Sequence, residues 1–180
     1  MGRRRTIIPA LALLVAAVAI GACGASEEHK EGLLEGEPVE LGELRWNVLF
    51  SRFLNPDDIE DRDYLVGQPP PPADATYFGV FVQIDNEDED NPQPLPAELT
   101  VEDTAHDEYT SIESESSYAL HLGTEIDAGA EVPALDSTPQ AGQTQGSVVL
   151  FLIPDEAAEE RPLELIIPGQ DGPATYELDI

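Results

Sequence analysis

Past residue 40 the chain alternates apolar and polar positions with a period of two, the signature of half-buried β-strands. From Glu43 onward, Leu44, Trp46, Val48 and Phe50 fall on one face and Arg45, Asn47 and Ser51 on the other. Asn55-Pro56-Asp57-Asp58 ends this strand with turn chemistry. A long connection over 55–75 carries four consecutive prolines, Pro69 to Pro72, which favour polyproline II and read as a stiffened surface loop. A docking segment for an aromatic groove is the other reading of that run. The densest strand signal is Thr76 to Asp85, with Phe78, Val80, Val82 and Ile84 on one face and Tyr77, Phe81 and Gln83 on the other. A charged turn, Asp85 to Pro92, follows.

Shorter signals continue the pattern. Leu99 with Val101, Tyr109 to Ile112 and Ala130 to Leu135 predict short strands, and Ser117 to Leu122 a strand or a helical turn. Thr138 to Gly146 reads as a loop. Ser147 to Ile153 is a continuous apolar run, too short for a helix and stopped by Pro154, as expected of a strand covered on both faces. Leu163, Leu165 and Ile167 alternate again, and Tyr176, Leu178 and Ile180 close the chain. No amphipathic helix is expected after residue 25. Seven to eight strands separated by turns predict an all-β fold, an antiparallel two-sheet β-sandwich, with a small closed barrel as the alternative. The Cys–Trp–Cys framework of antibody domains is absent, so the immunoglobulin-like character is architectural.

The N-terminus follows a different rule. Arg3, Arg4 and Arg5 precede an uncharged apolar stretch from Ile7 to Ile20. As a helix that stretch spans about 21 Å, short of a bilayer core of about 30 Å, so it reads as a signal peptide. Ile20-Gly21-Ala22-Cys23 has the form of a bacterial lipobox: an aliphatic residue, two small residues that fit a narrow peptidase site, and the acceptor thiol. Cys23 is the single cysteine of the chain. The expected organisation is a signal peptide over 1–22, lipidated Cys23 with a flexible tether to residue 38, and an immunoglobulin-like sandwich over 39–180. Diacylglyceryl and palmitate-type chains on Cys23 would hold the mature protein to membrane lipid at the outer face of the cell membrane, because two chains anchor stably where one does not. The arginines fit both the general secretory and the twin-arginine routes.

Composition narrows the partners. Without residues 1–22, five basic residues face 37 acidic ones, a formal charge of −32. Nucleic acid is excluded as a partner, since phosphate binding needs clustered Lys and Arg. The acids are spread along the chain, and 41% hydrophobic residues suffice for one unstapled core.

Against this background four features resemble the immunoglobulin-like domains of unknown function carried by actinobacterial and other Gram-positive lipoproteins. They are Trp46 after Gly42-Glu43-Leu44, the run Tyr77 to Asn86, a hairpin from Val101-Glu102-Asp103-Thr104 to Tyr109, and a late strand ending at Pro154-Asp155. The likeness spans roughly 39–180. It departs where the family has Asn-Pro-Gly before the late strand and this chain has Gln140-Ala141-Gly142-Gln143. The resemblance implies a β-sandwich surface domain and brings no catalytic residues with it.

Candidate chemistry is sparse. Asp85, Glu87 and Glu89 alternate as calcium ligands do, but Asp90 occupies the sixth position, where a calcium loop turns on glycine, and Pro96 the twelfth. His29, His106 and His121 lack the spacing of a zinc site. There is no GxSxG, SxxK or phosphate-binding glycine loop. Tyr64, Tyr77, Tyr118 and Trp46 are candidates to stack on a sugar, with Trp46 reading first as core. The leading expectation is a non-enzymatic module that binds a protein or envelope polymer. A Ca²⁺-dependent ligand-binding or adhesion domain is the alternative, and a cell-envelope enzyme the remote one.

Overall fold

The computed structural model describes residues 30–142 and 144–179. The expected signal peptide with its arginines, the expected lipobox residues Ile20, Gly21 and Ala22, Cys23 and His29 lie outside them, as does Ile180. The described strands are β1 (Leu33–Leu34), β2 (Pro38–Leu41), β3 (Leu44–Leu54), β4 (Ala75–Asn86), β5 (Gln93–Pro94), β6 (Thr100–Glu102), β7 (Glu108–Thr110), β8 (Glu125–Ile126), β9 (Glu131–Val132), β10 (Ser147–Pro154), β11 (Leu163–Ile167) and β12 (Ala174–Leu178). Two single-turn helices, α1 (Thr138–Ala141) and α2 (Asp155–Glu159), were not expected from the sequence. Ser137 caps α1, and Pro139 enters its first turn, where its missing N–H costs nothing.

The strands form two open five-stranded sheets. One runs β1-β12-β11-β6-β7; the other runs β10-β4-β3-β2, with β9 pairing further along β4. β5 and β8 make a small separate ribbon. Pairing is antiparallel except between β1 and β12. The architecture is therefore the β-sandwich, with open sheets rather than a closed barrel. Its core lies between the sheets, where Trp46, Val48, Phe78, Val80, Val82 and Ile84 meet Leu163, Leu165, Ile167 and Tyr176. Trp46 is only 1% exposed, as its place on the inward face requires. β10 is buried on both faces through most of its length, as its unbroken apolar run demands.

The second burial surface explains that run. On the outer face of the β10-β4-β3 sheet, Leu54, Tyr77, Phe81, Val148 and Leu150 pack with Leu65. Tyr64, Ile112 and Tyr118 cover this patch from the 55–75 connection and the 111–118 segment. The connection is thus a packed lid on the sheet. Tyr77 anchors the start of the proline run by donating its hydroxyl to the Pro69 carbonyl at 2.7 Å.

Two expectations are corrected. The flexible tether does not extend to residue 38. Leu33 is buried and β1 adds to the edge of β12, with Leu33 opposite Tyr176 and Leu34 opposite Glu177. The backbone is already fixed at Lys30, whose carbonyl accepts from Thr175 N–H at 2.8 Å. Gly32 and Gly36 flank β1 at φ +64° and +89°, conformations that glycine adopts without a Cβ clash. The second correction lies within β3. The register against β4 slips between Val48 and Phe50, so Leu49 is a bulge. One extra residue exchanges the two faces. Phe50 therefore turns outward and stacks on Phe81 with ring centroids 4.4 Å apart. Ser51, expected outside, turns inward and is 6% exposed.

Candidate binding cleft

The inward turn of Ser51 builds the most chemically loaded place among the described residues. Beyond β1, Glu35 lies where the edge of the β12 sheet meets β3. Ser51 donates its hydroxyl to Glu35 Oε1 at 2.6 Å. Gly36 N–H bonds the Val48 carbonyl at 2.6 Å, and the Tyr176 hydroxyl reaches the Glu37 carbonyl at 2.6 Å, so the backbone just after Glu35 is fixed to both sheets. A cleft of about 470 Å³ opens here, lined by Leu34, Glu35, Arg161, Pro162, Glu177, Leu178 and Asp179. Strand alternation buries Leu33 and leaves Leu34 53% exposed at its rim. On the opposite wall the Arg161 guanidinium sits 5.7 Å over the Phe53 ring, and its Nε donates to the Ala158 carbonyl at 3.0 Å.

The electrostatics are unusual for a surface carboxylate. Burial pushes the Glu35 carboxyl above the ordinary glutamate value. The Ser51 hydroxyl and the Asp179 backbone N–H pull it down, and the negative charge of Asp179 pushes it up again. The net effect is an anion held at a cost, in a concave site beside two more acids. Perturbed carboxylates of this kind concentrate at functional sites.

The residues singled out from the sequence are placed elsewhere. Asp85 lies on β4 opposite Arg45 and Glu131, Glu87 is exposed and donates its N–H to the Glu43 carbonyl, and Glu89 is directed toward Gly129. Among the described residues no three His, Cys, Asp or Glu side chains are grouped to hold a metal ion. The turn is organised instead by Asp88, whose Oδ1 accepts from the N–H groups of Asp90 and Asn91 and whose Oδ2 accepts from Gln93. The Asp90 N–H and the Asn91 side chain hold the Asp88 carboxyl below its ordinary value. Asn86 locks the base of the turn by donating to the carbonyls of Asn91, Ile126 and Asp127.

His106 is exposed and bonds Glu102 at 2.6 Å, which raises its pKa. His121 borders a separate cleft of about 370 Å³ with Ser111, Glu113 and Ser114. Tyr77 is buried, and Tyr64 meets both Phe81 and Tyr118 edge-on, so these rings are spent on the contact between the lid and the sheet rather than forming a stacking platform. The sequence reading missed the Glu35 cleft because it assigned Glu35 to the tether. The available signal was the pair Leu33-Leu34 between glycines in an otherwise polar stretch.

No helix among the described residues is long and apolar enough to cross a membrane. No protein-family profile matches the chain, and no curated protein matches it. Solved structures do. An uncharacterised β-sandwich protein of Clostridium difficile 630 aligns at 15% identity and a TM-score of 0.52, over 84% of this chain and 95% of the other. The yjhA protein of Bacillus subtilis aligns at 14% identity and 0.49, over 82% and 99%. The candidate lipoprotein ycdA of Bacillus subtilis subsp. subtilis str. 168 aligns at 12% identity and 0.50, over 79% of this chain, which spans 38% of ycdA. The likeness to the first and the last of these is one of fold, the β-sandwich.

Proposed function

We propose that this chain is exported, anchored to membrane lipid through Cys23, and displays its sandwich at the outer face of the cell membrane as a non-enzymatic binding module of the immunoglobulin-like lipoprotein-domain type. Its partner is a protein or envelope polymer rather than nucleic acid. The observation that carries the reading is Ile20-Gly21-Ala22-Cys23 at the end of a charged-then-apolar leader. The candidate-lipoprotein status of ycdA supports it from the side of the fold.

Anchoring at Cys23 would also set how close the domain lies to the membrane. Lys30 is tied to β12 and follows Cys23 by seven residues. An extended chain covers at most about 3.6 Å per residue, which keeps Lys30 within about 25 Å of the lipidated sulfur. The test is radiolabelled palmitate incorporation with membrane fractionation. The wild type should carry label and sediment with membranes, while Cys23→Ala should carry none and leave the membrane fraction. Label on the alanine variant, or an unlabelled wild type, refutes the reading.

A further inference from the structure

We infer that the notch on the lid between Pro56 and Pro69–Pro70 receives an aromatic side chain, Trp or Tyr, presented by a basic segment of a protein partner. The inference rests on reading the domain as a binding module, and it narrows the partner of that module from protein or envelope polymer to protein.

Two independent observations meet at this place. The first is the proline run. Proline rings hold φ near about −65°, and the run from Pro69 to Pro72 is tied at both ends. Tyr77 donates its hydroxyl to the Pro69 carbonyl at 2.7 Å, and Ala75 N–H bonds the Pro72 carbonyl at 3.2 Å. Pro69, Pro70 and Pro72 are nevertheless exposed. The fold thus fixes the run without covering it. A segment held straight in this way loses little freedom on docking, which is why extended proline runs are read by aromatic side chains.

The second observation is a cavity of about 380 Å³ beside the run. Pro56, Pro69 and Pro70 wall it, and the buried side chains of Leu65 and Tyr77 reach it from beneath. Arg62, Asp57 and Gln68 complete the rim. Arg62 is held there, because its Nε donates to the Pro56 carbonyl at 3.1 Å. Gln68 is held too, by donating its side-chain amide to the Glu113 carbonyl at 2.7 Å. This volume is at the small end of ligand pockets and suits one ring rather than a long chain. The lining selects the kind of ring. The face of an aromatic ring is electron-rich, so it is attracted to a guanidinium and packs on proline rings. An aliphatic side chain would use the prolines and waste the arginine.

Charge and exposure around the notch describe the rest of the partner. Asp57, Asp58, Glu60, Asp63 and Asp74 are exposed on the lid, against Arg62 as its single basic residue. A partner that docks here must therefore be basic beside its ring, since like charges across an interface repel. Ile59 and Val66, 79% and 45% exposed, also belong to the lid and offer apolar contact around the anchor.

The experiment is a ¹H–¹⁵N NMR titration of the mature protein in neutral-detergent micelles with three peptides: acetyl-Lys-Trp-Lys-amide, acetyl-Lys-Leu-Lys-amide and acetyl-Glu-Trp-Glu-amide. The first should move the signals of Arg62, Leu65 and Gln68 to saturation. The leucine peptide, equal in charge, and the glutamate peptide, equal in ring, should each bind about tenfold more weakly or worse. Pro69→Ala with Pro70→Ala keeps the carbonyl that Tyr77 holds and should weaken the first peptide about fivefold or more. Leu135→Ala, on an exposed loop outside the lid, should leave binding unchanged. Absence of saturation, signals that move away from the notch, equal binding of either control peptide, or undiminished binding by the folded double variant each overturns the inference. If the double variant loses spectral dispersion, Pro70→Ala alone takes its place under the same criterion. The titration does not depend on acylation, so a negative result beside intact palmitate labelling sinks the aromatic-anchor partner and leaves the anchored-module reading standing.

Discussion

Replacing Arg52 with methionine should destabilise the sandwich far more than loss of a surface charge does. Asp61, in the lid, is only 3% exposed. Its Oδ1 lies 2.5 Å from the Arg52 guanidinium, and its Oδ2 accepts from Asn55 N–H at 2.8 Å. The same guanidinium lies 5.7 Å from the Tyr64 ring centre and 5.9 Å from that of Phe81, so one cation joins the lid to the sheet beneath it. Two unit charges about 4 Å apart attract by about 4 kcal/mol at an effective dielectric near 20. Desolvation of both groups offsets much of this in the intact pair. Truncating one partner exposes the desolvation cost of the other, about 3–5 kcal/mol where burial is complete. The Arg52 side chain is 39% exposed, so water screens part of that cost. The expected loss for Arg52→Met is about 2–3 kcal/mol. Asp61→Asn keeps an acceptor for Asn55 and should lose about 1–2 kcal/mol. The double variant should lose less than the sum, with a coupling of about 1–2 kcal/mol. Urea unfolding followed by Trp46 fluorescence gives all four values, since Trp46 is the single tryptophan and is buried. A loss below about 1 kcal/mol for Arg52→Met, together with coupling below about 0.5 kcal/mol, would mean that Asp61 stays hydrated and the lid is not pinned this way.

The remaining expectations use the same unfolding assay. Gly169→Ala places a Cβ 2.6 Å from the Gly172 carbonyl oxygen and 2.8 Å from Leu41 Cδ2, so backbone must move; the expected cost is about 1–3 kcal/mol, and a cost under about 0.5 kcal/mol refutes the contact. Phe50→Ala removes the stack on Phe81 from a half-buried position and should cost about 1–2 kcal/mol, whereas a neutral result would place the ring on neither face as described. The Glu35 carboxyl is held above its ordinary value, so the native state is favoured below that value and loses the benefit as pH rises through the folded-state pKa. Glu35→Gln should therefore raise Tm near pH 7 relative to wild type and change it little near pH 3; the same shift at both values would refute the sign. Asp88 runs the other way. Its lowered pKa gives stability above the ordinary aspartate value that disappears as pH falls through the folded-state pKa, so Asp88→Asn should lower Tm near pH 7 but not in acid.

How much of this was legible in the sequence depends on how local each signal is. β4 and β10 carry ten or so residues of dense alternation or unbroken apolar sequence, and such runs declare themselves without knowledge of their partners. β1, β5, β8 and β9 have two residues each, too few to show any period, and exist because a neighbouring edge accepts them. The bulge at Leu49 is invisible for a different reason. Leu44, Trp46, Val48 and Phe50 are a flawless alternation, and only pairing with β4 reveals that the phase changes before Phe50. Sequence composition even favours the wrong face, since an aromatic ring is the expected inward residue and a serine the expected outward one. The outer face is apolar here because the lid covers it, and a lid is a long-range fact.

The cleft inherits this hidden phase. Among 37 acidic residues the sequence gives no reason to prefer Glu35. What sets it apart is a hydroxyl sixteen positions away, delivered inward by one extra residue in β3. Without the bulge, Ser51 would share the outer face, and Glu35 would be one more solvated carboxylate in a spacer. With it, β1 is joined to both sheets beside the carboxylate that lines the cleft. The place where β1 joins the sandwich and the cleft beside it are thus built from the same few residues, so a change at Ser51 or Leu49 disturbs both.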